Sequence, residues 1–154
     1  MAKLIINSYE EFEKYVGKDL VTSDYHRITQ EQINLFADAT LDHQWIHVDV
    51  ERARKESPYG ATIAHGYLSV SLLAYLWFQS IQVNNITMLV NYGIDNLKFG
   101  QPVVVNSEVR IVTKLKAITN LRGTAKTEVE VTLEIKGSNK PAFKGIIVFL
   151  YQFK

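Results

Sequence analysis

The feature that most restricts the fold of this chain is a central stretch without acidic or basic side chains. From Pro58 to Ile94 the sequence contains no Asp, Glu, Lys or Arg. Within it, residues 67–78 are apolar on nearly every side of a helix, and a helix with that pattern is a buried one. The segment is too short for a membrane span, which needs about twenty residues. We therefore predict one long central helix, buried all round and wrapped by a sheet.

After this helix the hydrophobic period changes to two. Apolar residues alternate with polar ones in residues 103–116 and again in residues 128–135. Such alternation gives one buried and one wet face, as an antiparallel sheet requires. Residues 143–153 are apolar on both sides, so the outer face of this last strand is expected to contact something. Turns are predicted in residues 119–124 and 137–139. The fold class predicted is α+β, with a sheet curled around a helix.

Short helices are predicted before the central one, each from a capping signal. Ser8 and Thr29 stand at capping-box spacing from the residues three positions later, and Asp49 is placed to cap a third helix. Residues 20–28 have the composition of an edge strand. We expect a single domain over residues 1–154, with residues 1–18 as an N-terminal helical extension.

Charge and composition limit the kinds of partner. The net charge is near +1, which gives no reason to expect nucleic acid or an anionic membrane as a partner. Without cysteine there is no disulfide, no thiolate nucleophile and no sulfur-ligated metal. The apolar start of the chain is too soon interrupted for a secretory signal. A cytoplasmic protein is the expectation.

Ionisable residues concentrate in residues 37–49. Asp42 and His47 are five positions apart, which is not one face of a straight helix. The pair therefore needs a bend, which Trp45 and Ile46 could supply, with Ile46 fixed in the core. A neutral imidazole and a carboxylate can together hold and polarise one water molecule, and burial can shift the pKa values of both. This favours general acid/base chemistry without a protein nucleophile.

Gly66 is predicted to complete the site from the start of the long helix. Backbone N–H groups there have no intrahelical partner, and the helix dipole favours an oxygen that gains negative charge. Possible pocket residues are Gln44, Trp45, His65 and Tyr67. For His65 a structural hydrogen bond is the favoured interpretation, and for the two aromatic residues a place in the core or pocket wall.

Metal binding is the weaker alternative. His43 and His47 have metal-ligand spacing on a helix. No third ligand has a defined spacing, and the segment is not a clean helix. We therefore expect no metal.

Taken together, these segments resemble the MaoC-like dehydratases, which are the (R)-specific enoyl-CoA hydratases of the hot-dog fold. Residues 37–49, followed by Ala53, resemble the hydratase signature of that family. Residues 63–68 resemble its second segment, and residues 91–103 resemble a third. The likeness covers roughly residues 22–151.

The resemblance implies the addition of water to trans-2-enoyl-CoA to give (3R)-3-hydroxyacyl-CoA, or the reverse, without a metal or organic cofactor. Asp42 and His47 match the residues that activate the water, and Gly66 matches the glycine whose N–H holds the thioester carbonyl. The implied assembly is a homodimer whose sheets join edge to edge, with higher assembly left open. Candidates for contacts with the phosphates of coenzyme A, for which a solvated strand face is the favoured interpretation, are Lys98, Arg110, Lys114 and Lys116.

The chain departs from the commoner family pattern at several positions. Leu41 replaces Gly, Gln44 replaces Asn, Trp45 replaces Pro, and Ala74 stands where many hydratases have a serine. The Gln-Trp-Ile-His variant resembles the nodulation-protein-N-like branch. These changes leave the water-activating pair intact. Leu41, Trp45 and Ala74 motivate the first of two alternatives, and the second is a hydrolytic relative on the same fold. One is a hot-dog module that binds acyl thioesters without turnover, and the other is an acyl-CoA thioesterase.

Overall fold

The computed structural model describes residues 2–154, so Met1 lies outside the described residues. The helices are α1 (Tyr9–Glu13), α2 (Gln30–Thr40), α3 (Trp45–Val48), α4 (Val50–Glu56) and α5 (Gly66–Ser80). The strands are β1 (Leu4–Ile6), β2 (Asp19–Thr22), β3 (His26–Arg27), β4 (Ile81–Val83), β5 (Ile86–Phe99), β6 (Glu108–Leu121), β7 (Thr124–Ile135) and β8 (Phe143–Phe153).

The main sheet is antiparallel, as the period of two predicts. Its strand order is β2-β6-β7-β8-β5, and β3 also pairs with β6. In β7, and in β6 as far as Leu115, every second residue is buried, and the residues between them are more exposed. Arg122 and Gly123 turn the chain between these strands at φ values of 57° and 94°. Positive φ at both turn residues matches the right-handed twist of the flanking strands.

The long helix α5 packs its buried side against this sheet. Leu68, Leu72 and Leu76 belong to the same hydrophobic cluster as the inner residues of β6 and β7. The Trp77 Nε1–H donates to the Tyr151 hydroxyl of β8 at 2.8 Å. Burial raises the pKa of Tyr151. This hydroxyl therefore stays protonated and links the helix to the sheet.

The prediction that α5 is buried all round is wrong for a single chain. Tyr67, Tyr75 and Phe78 are 73%, 48% and 52% exposed. The sheet encloses only one side of the helix, and the other side carries apolar residues in contact with solvent. Among residues 2–154, none of the helices combines the length and apolarity needed to cross a membrane.

The three predicted helix caps are present. Ser8 accepts from the Glu11 N–H, Thr29 from the Gln32 N–H and Asp49 from the Arg52 N–H.

The N-terminal residues have more structure than the sequence indicates. Strand β1 pairs in parallel with β4. Each has only three residues, and neither shows a strand pattern in the sequence. Phe12 of α1 is fully buried and packs edge-to-face on Tyr151. The predicted strand over residues 20–28 is interrupted at Ser23, whose side chain accepts from the Ile111 N–H.

Leu41 ends α2 in the left-handed region, at φ 63° and ψ 19°. This conformation costs a residue with a Cβ about 1–2 kcal/mol, and the Leu41 side chain is 81% exposed, so it returns little through packing. We expect Leu41→Gly to raise the free energy of unfolding by about 0.5–1 kcal/mol. Denaturant unfolding measures this. Leu41→Ala keeps the Cβ and is the control, and an equal gain in that variant would contradict the explanation by strain.

Candidate active site

A cavity of about 370 Å³ opens beside the start of α5. Its wall includes Asp42, His47, His65, Gly66 and Tyr67, which lie in two separate stretches of the sequence. The remainder of the wall comes mostly from residues 99–103, at the end of the third segment of the family resemblance. The fold therefore brings the two predicted halves of the site to one opening.

His47 is buried, and its ring is fixed by a hydrogen bond. Nδ1 lies 2.7 Å from the carbonyl oxygen of Ile63. A carbonyl oxygen can only accept, so Nδ1 carries the proton and Nε2 keeps its lone pair. Burial lowers the pKa of His47, while the Ile63 hydrogen bond opposes this shift. His65 lowers the pKa further and Asp42 raises it. The ring is therefore a neutral base at ordinary pH.

Asp42 lies at the mouth of the cavity, with its side chain 52% exposed. The Gln44 N–H donates to its carboxylate at 3.4 Å. The short helix α3 closes the five-residue separation between Asp42 and His47. The predicted bend is present, but the prediction that Ile46 fixes it in the core is wrong. Ile46 is only half-buried, and His47 is the buried residue of α3.

His65 connects the two candidate catalytic residues. Its Nε2–H donates to the backbone carbonyl oxygen of Asp42 at 3.0 Å. Its ring stacks on that of His47, with centroids 3.9 Å apart and planes 23° apart. Phe36 packs against the same ring at 4.9 Å. These contacts are of the structural kind that the sequence favours for His65.

The same three residues have the composition of a metal site but not its geometry. One potential ligand atom from each of Asp42, His47 and His65 lies within 4.8 Å of the others. An imidazole lone pair lies in the ring plane, and a bound zinc sits about 2.0–2.1 Å from the nitrogen. Two stacked, nearly parallel rings cannot both direct their lone pairs at one such ion. His43 lies at the surface, with Nε2 2.8 Å from the Asp38 carboxylate, and does not join His47.

Gly66 begins α5, and its N–H is one of those that a helix start leaves without an intrahelical partner. A larger residue here would require Phe99 or the backbone to move, since a Cβ at Gly66 would lie 2.8 Å from the ring of Phe99. The Phe99 ring also packs edge-to-face on Tyr67, with centroids 6.2 Å apart. Together Tyr67 and Phe99 form an aromatic wall beside this N–H.

Two predicted pocket residues lie elsewhere. Gln44 is exposed at the start of α3, and Trp45 lies under the Arg52 guanidinium, whose carbon is 4.3 Å from the centre of the ring. Neither lines the cavity, because α3 directs only His47 into it. Ala74 lines a second, largely apolar cavity of about 320 Å³ between α5 and β5.

Among the cations considered for phosphate contacts, Arg110 is already paired. Its Nε donates to the Glu134 carboxylate at 2.8 Å on the outer face of the sheet.

Residues 11–137 match the sequence profile of the family described as MaoC like domain. The 3-hydroxyacyl-thioester dehydratase Z of Mycobacterium tuberculosis is 46% identical over 127 residues, 82% of this chain and 83% of that protein. Nodulation protein N of Rhizobium leguminosarum bv. viciae is 43% identical over 141 residues, 90% of this chain and 87% of that protein. The R-hydratase PhaJ1 from Pseudomonas aeruginosa has a TM-score of 0.69 at 18% identity, covering 90% of this chain and 83% of that one. At that identity the likeness concerns the hot-dog fold.

Proposed function

Because this chain belongs to the MaoC-like domain family, we propose that it is a hydro-lyase acting on acyl thioesters. It adds water to a trans-2-enoyl thioester to give the (3R)-3-hydroxyacyl thioester, or runs the reverse reaction. One observation carries the proposal: a neutral, buried His47, the Asp42 carboxylate and the first N–H of α5 share one cavity. The 46% identity to a protein named as a 3-hydroxyacyl-thioester dehydratase supports the substrate class.

The reaction needs one water molecule, held between His47 and Asp42. Nε2 of His47 accepts a proton as the water oxygen attacks C3 of the substrate, and the pair returns one proton to C2. Negative charge develops on the thioester oxygen as C3 is attacked. The Gly66 N–H and the dipole of α5 stabilise that oxygen. The net reaction adds OH to C3 and H to C2, and no cofactor or metal takes part.

The direct test is an assay of the purified protein on 2-enoyl-CoA esters of increasing chain length. We expect loss of the enoyl-thioester absorbance and formation of the (3R) product. Binding of these esters without hydration at any chain length would point instead to a non-catalytic binding module. Release of free thiol would point to a thioesterase. We propose that coenzyme A carries the acyl chain, and the same assay on acyl chains attached to an acyl carrier protein gives the comparison.

The pH dependence follows from the lowered pKa of His47. A base acts only when neutral, and a pKa below the usual 6.5 keeps His47 neutral to lower pH. Activity should therefore be lost only as the pH falls through that lowered value. The profile of kcat/KM against pH measures this for the free enzyme. An acid limb centred above 6.5 would contradict the assignment of the base.

We further propose that the protein is a homodimer. Strand β5 is an outermost strand of the main sheet, and within residues 2–154 it pairs only with β8, so no described strand covers its other edge. Apolar side chains are exposed along much of its length, among them Met88, Val90, Tyr92 and Ile94. A long apolar edge is a site of further strand pairing, and the open side of α5 adds to the uncovered area. Pairing of two β5 edges covers both features.

The dimer is tested with Tyr92→Lys, in the middle of the β5 edge. A lysine here places a charge in the proposed interface, so we expect sedimentation to give a monomer mass where the unchanged protein gives a dimer. The matched control is Leu121→Lys, at the β6–β7 hairpin, where the leucine is 48% exposed. A monomeric unchanged protein at micromolar concentration would refute the dimer.

A further inference from the structure

Gln30, the first residue of α2, joins two segments that carry the cavity. Its Nε2 donates to the backbone carbonyl oxygen of His47 at 2.8 Å and to Asn34 Oδ1 at 2.9 Å. Its Oε1 accepts from the Thr62 hydroxyl at 2.5 Å. The His47 carbonyl can only accept a hydrogen bond, so the amide nitrogen must face it. All polar atoms of the Gln30 side chain are thus committed.

The hydrogen bonds close into a ring through Ile63, the neighbour of Thr62. The carbonyl oxygen of Ile63 accepts from His47 Nδ1, and its N–H donates to the Ile46 carbonyl at 3.0 Å. His47 is therefore held at its side chain by Ile63 and at its backbone by Gln30. Thr62 is fully buried and links the two contacts, because it precedes Ile63 in the chain and its hydroxyl donates to Gln30.

The short helix α3 needs this support. It has four residues, and no side chain caps its N-terminus. The carbonyl of His47 lies at the end of α3, where carbonyl groups lack an intrahelical partner. Gln30 supplies the missing donor. Without it, nothing else among the hydrogen bonds of residues 2–154 ties the His47 carbonyl to the rest of the fold.

We propose that Gln30 and Thr62 are positioning residues that hold His47 with Nδ1 protonated and Nε2 free to act as a base. The proposal rests on the proposed function, in which His47 is that base. Neither residue lines the cavity, so they act through His47 and do not touch the substrate. The titratable groups that face His47 are Asp42 and His65, and both variants below leave them in place.

The first experiment measures the kinetics of Thr62→Val and Gln30→Glu. Thr62→Val removes only the hydroxyl, and Gln30→Glu keeps an acceptor for Thr62 but cannot donate to the His47 carbonyl. We expect kcat to fall about tenfold in each, because a small displacement of a reacting group slows the reaction, with KM little changed. Thr62→Ser should restore kcat. Thr127→Val is the matched control, since Thr127 is equally buried but lies in β7.

The second experiment does not depend on activity. Nitrogen NMR of the histidine rings, assigned with a His47→Gln variant, should show Nδ1-protonated His47 in the unchanged protein. It should show a mixture of tautomers in Thr62→Val and Gln30→Glu. Unchanged kcat, pH profile and tautomer in both variants would overturn the proposal. A tautomer change in a protein without hydratase activity would refute the proposed function and uphold the positioning of His47. Gln30 is half-exposed, so Gln30→Glu remains informative if Thr62→Val does not fold.

Discussion

Replacing His47 by Gln, or Asp42 by Asn, is expected to lower kcat/KM for hydration of an enoyl thioester by about 10²–10⁴-fold. Both substitutions preserve side-chain size. The first removes the base whose lone pair the Ile63 hydrogen bond leaves free, and the second removes the carboxylate charge beside the water. Because the two residues act on one water molecule, the double variant should be little worse than either single one. Initial rates of enoyl absorbance loss measure all three.

The control for these variants is His43→Gln. His43 lies in the same loop but pairs with Asp38 at the surface, so turnover should stay at the level of the unchanged protein. Thermal unfolding of each variant separates a loss of chemistry from a loss of fold. Full turnover in both Asp42→Asn and His47→Gln would rule out the proposed mechanism. A loss that accompanies unfolding in either variant would not support it.

The second large effect is expected at Gly66. A methyl group here would lie 2.8 Å from the Phe99 ring, so either this ring, which lines the cavity, or the start of α5 must shift. Both changes displace the thioester carbonyl from the Gly66 N–H. Misplacement of a reacting group by about 1 Å can reduce the rate about 10²-fold, and loss of one oxyanion donor has a similar effect. We expect Gly66→Ala to lower kcat/KM by about 10–100-fold.

The double variant Gly66→Ala/Phe99→Ala separates the two causes of this loss. Partial recovery relative to Gly66→Ala would assign the loss to the contact with the ring. Thermal unfolding of both variants separates any stability cost of the contact from the loss of activity. An unchanged kcat/KM in Gly66→Ala would refute the role proposed for its N–H.

Much of the secondary structure could be predicted because its causes are local. The caps at Ser8, Thr29 and Asp49 depend on a side chain and an N–H three positions away, which the sequence places together. The alternation in β6 and β7 depends on which residues of one strand face the core. The hairpin turn at Arg122 and Gly123 lies where a local break in the pattern predicts it.

The candidate site could be predicted in part, and mainly through the family resemblance. Asp42 and His47 lie in one segment and Gly66 in another, and the spacing within each segment is a property of the sequence. The sequence does not show which face of the loop turns inward. It is decided by the contacts of α3 with residues 62–65, so Gln44 and Trp45 fall outside the cavity and His47 falls inside it.

By itself, the sequence determined the antiparallel strands, the caps, the uncharged central helix and the residue types available for acid/base chemistry. Only the tertiary structure decided that α5 has an open side, that β1 pairs with β4, and that Gln30 and Thr62 hold His47. The physical reason is distance along the chain. A hydrogen bond between Gln30 and Thr62 joins residues 32 positions apart. The packing of the core brings these two residues together, and no local pattern in the sequence indicates that they pair.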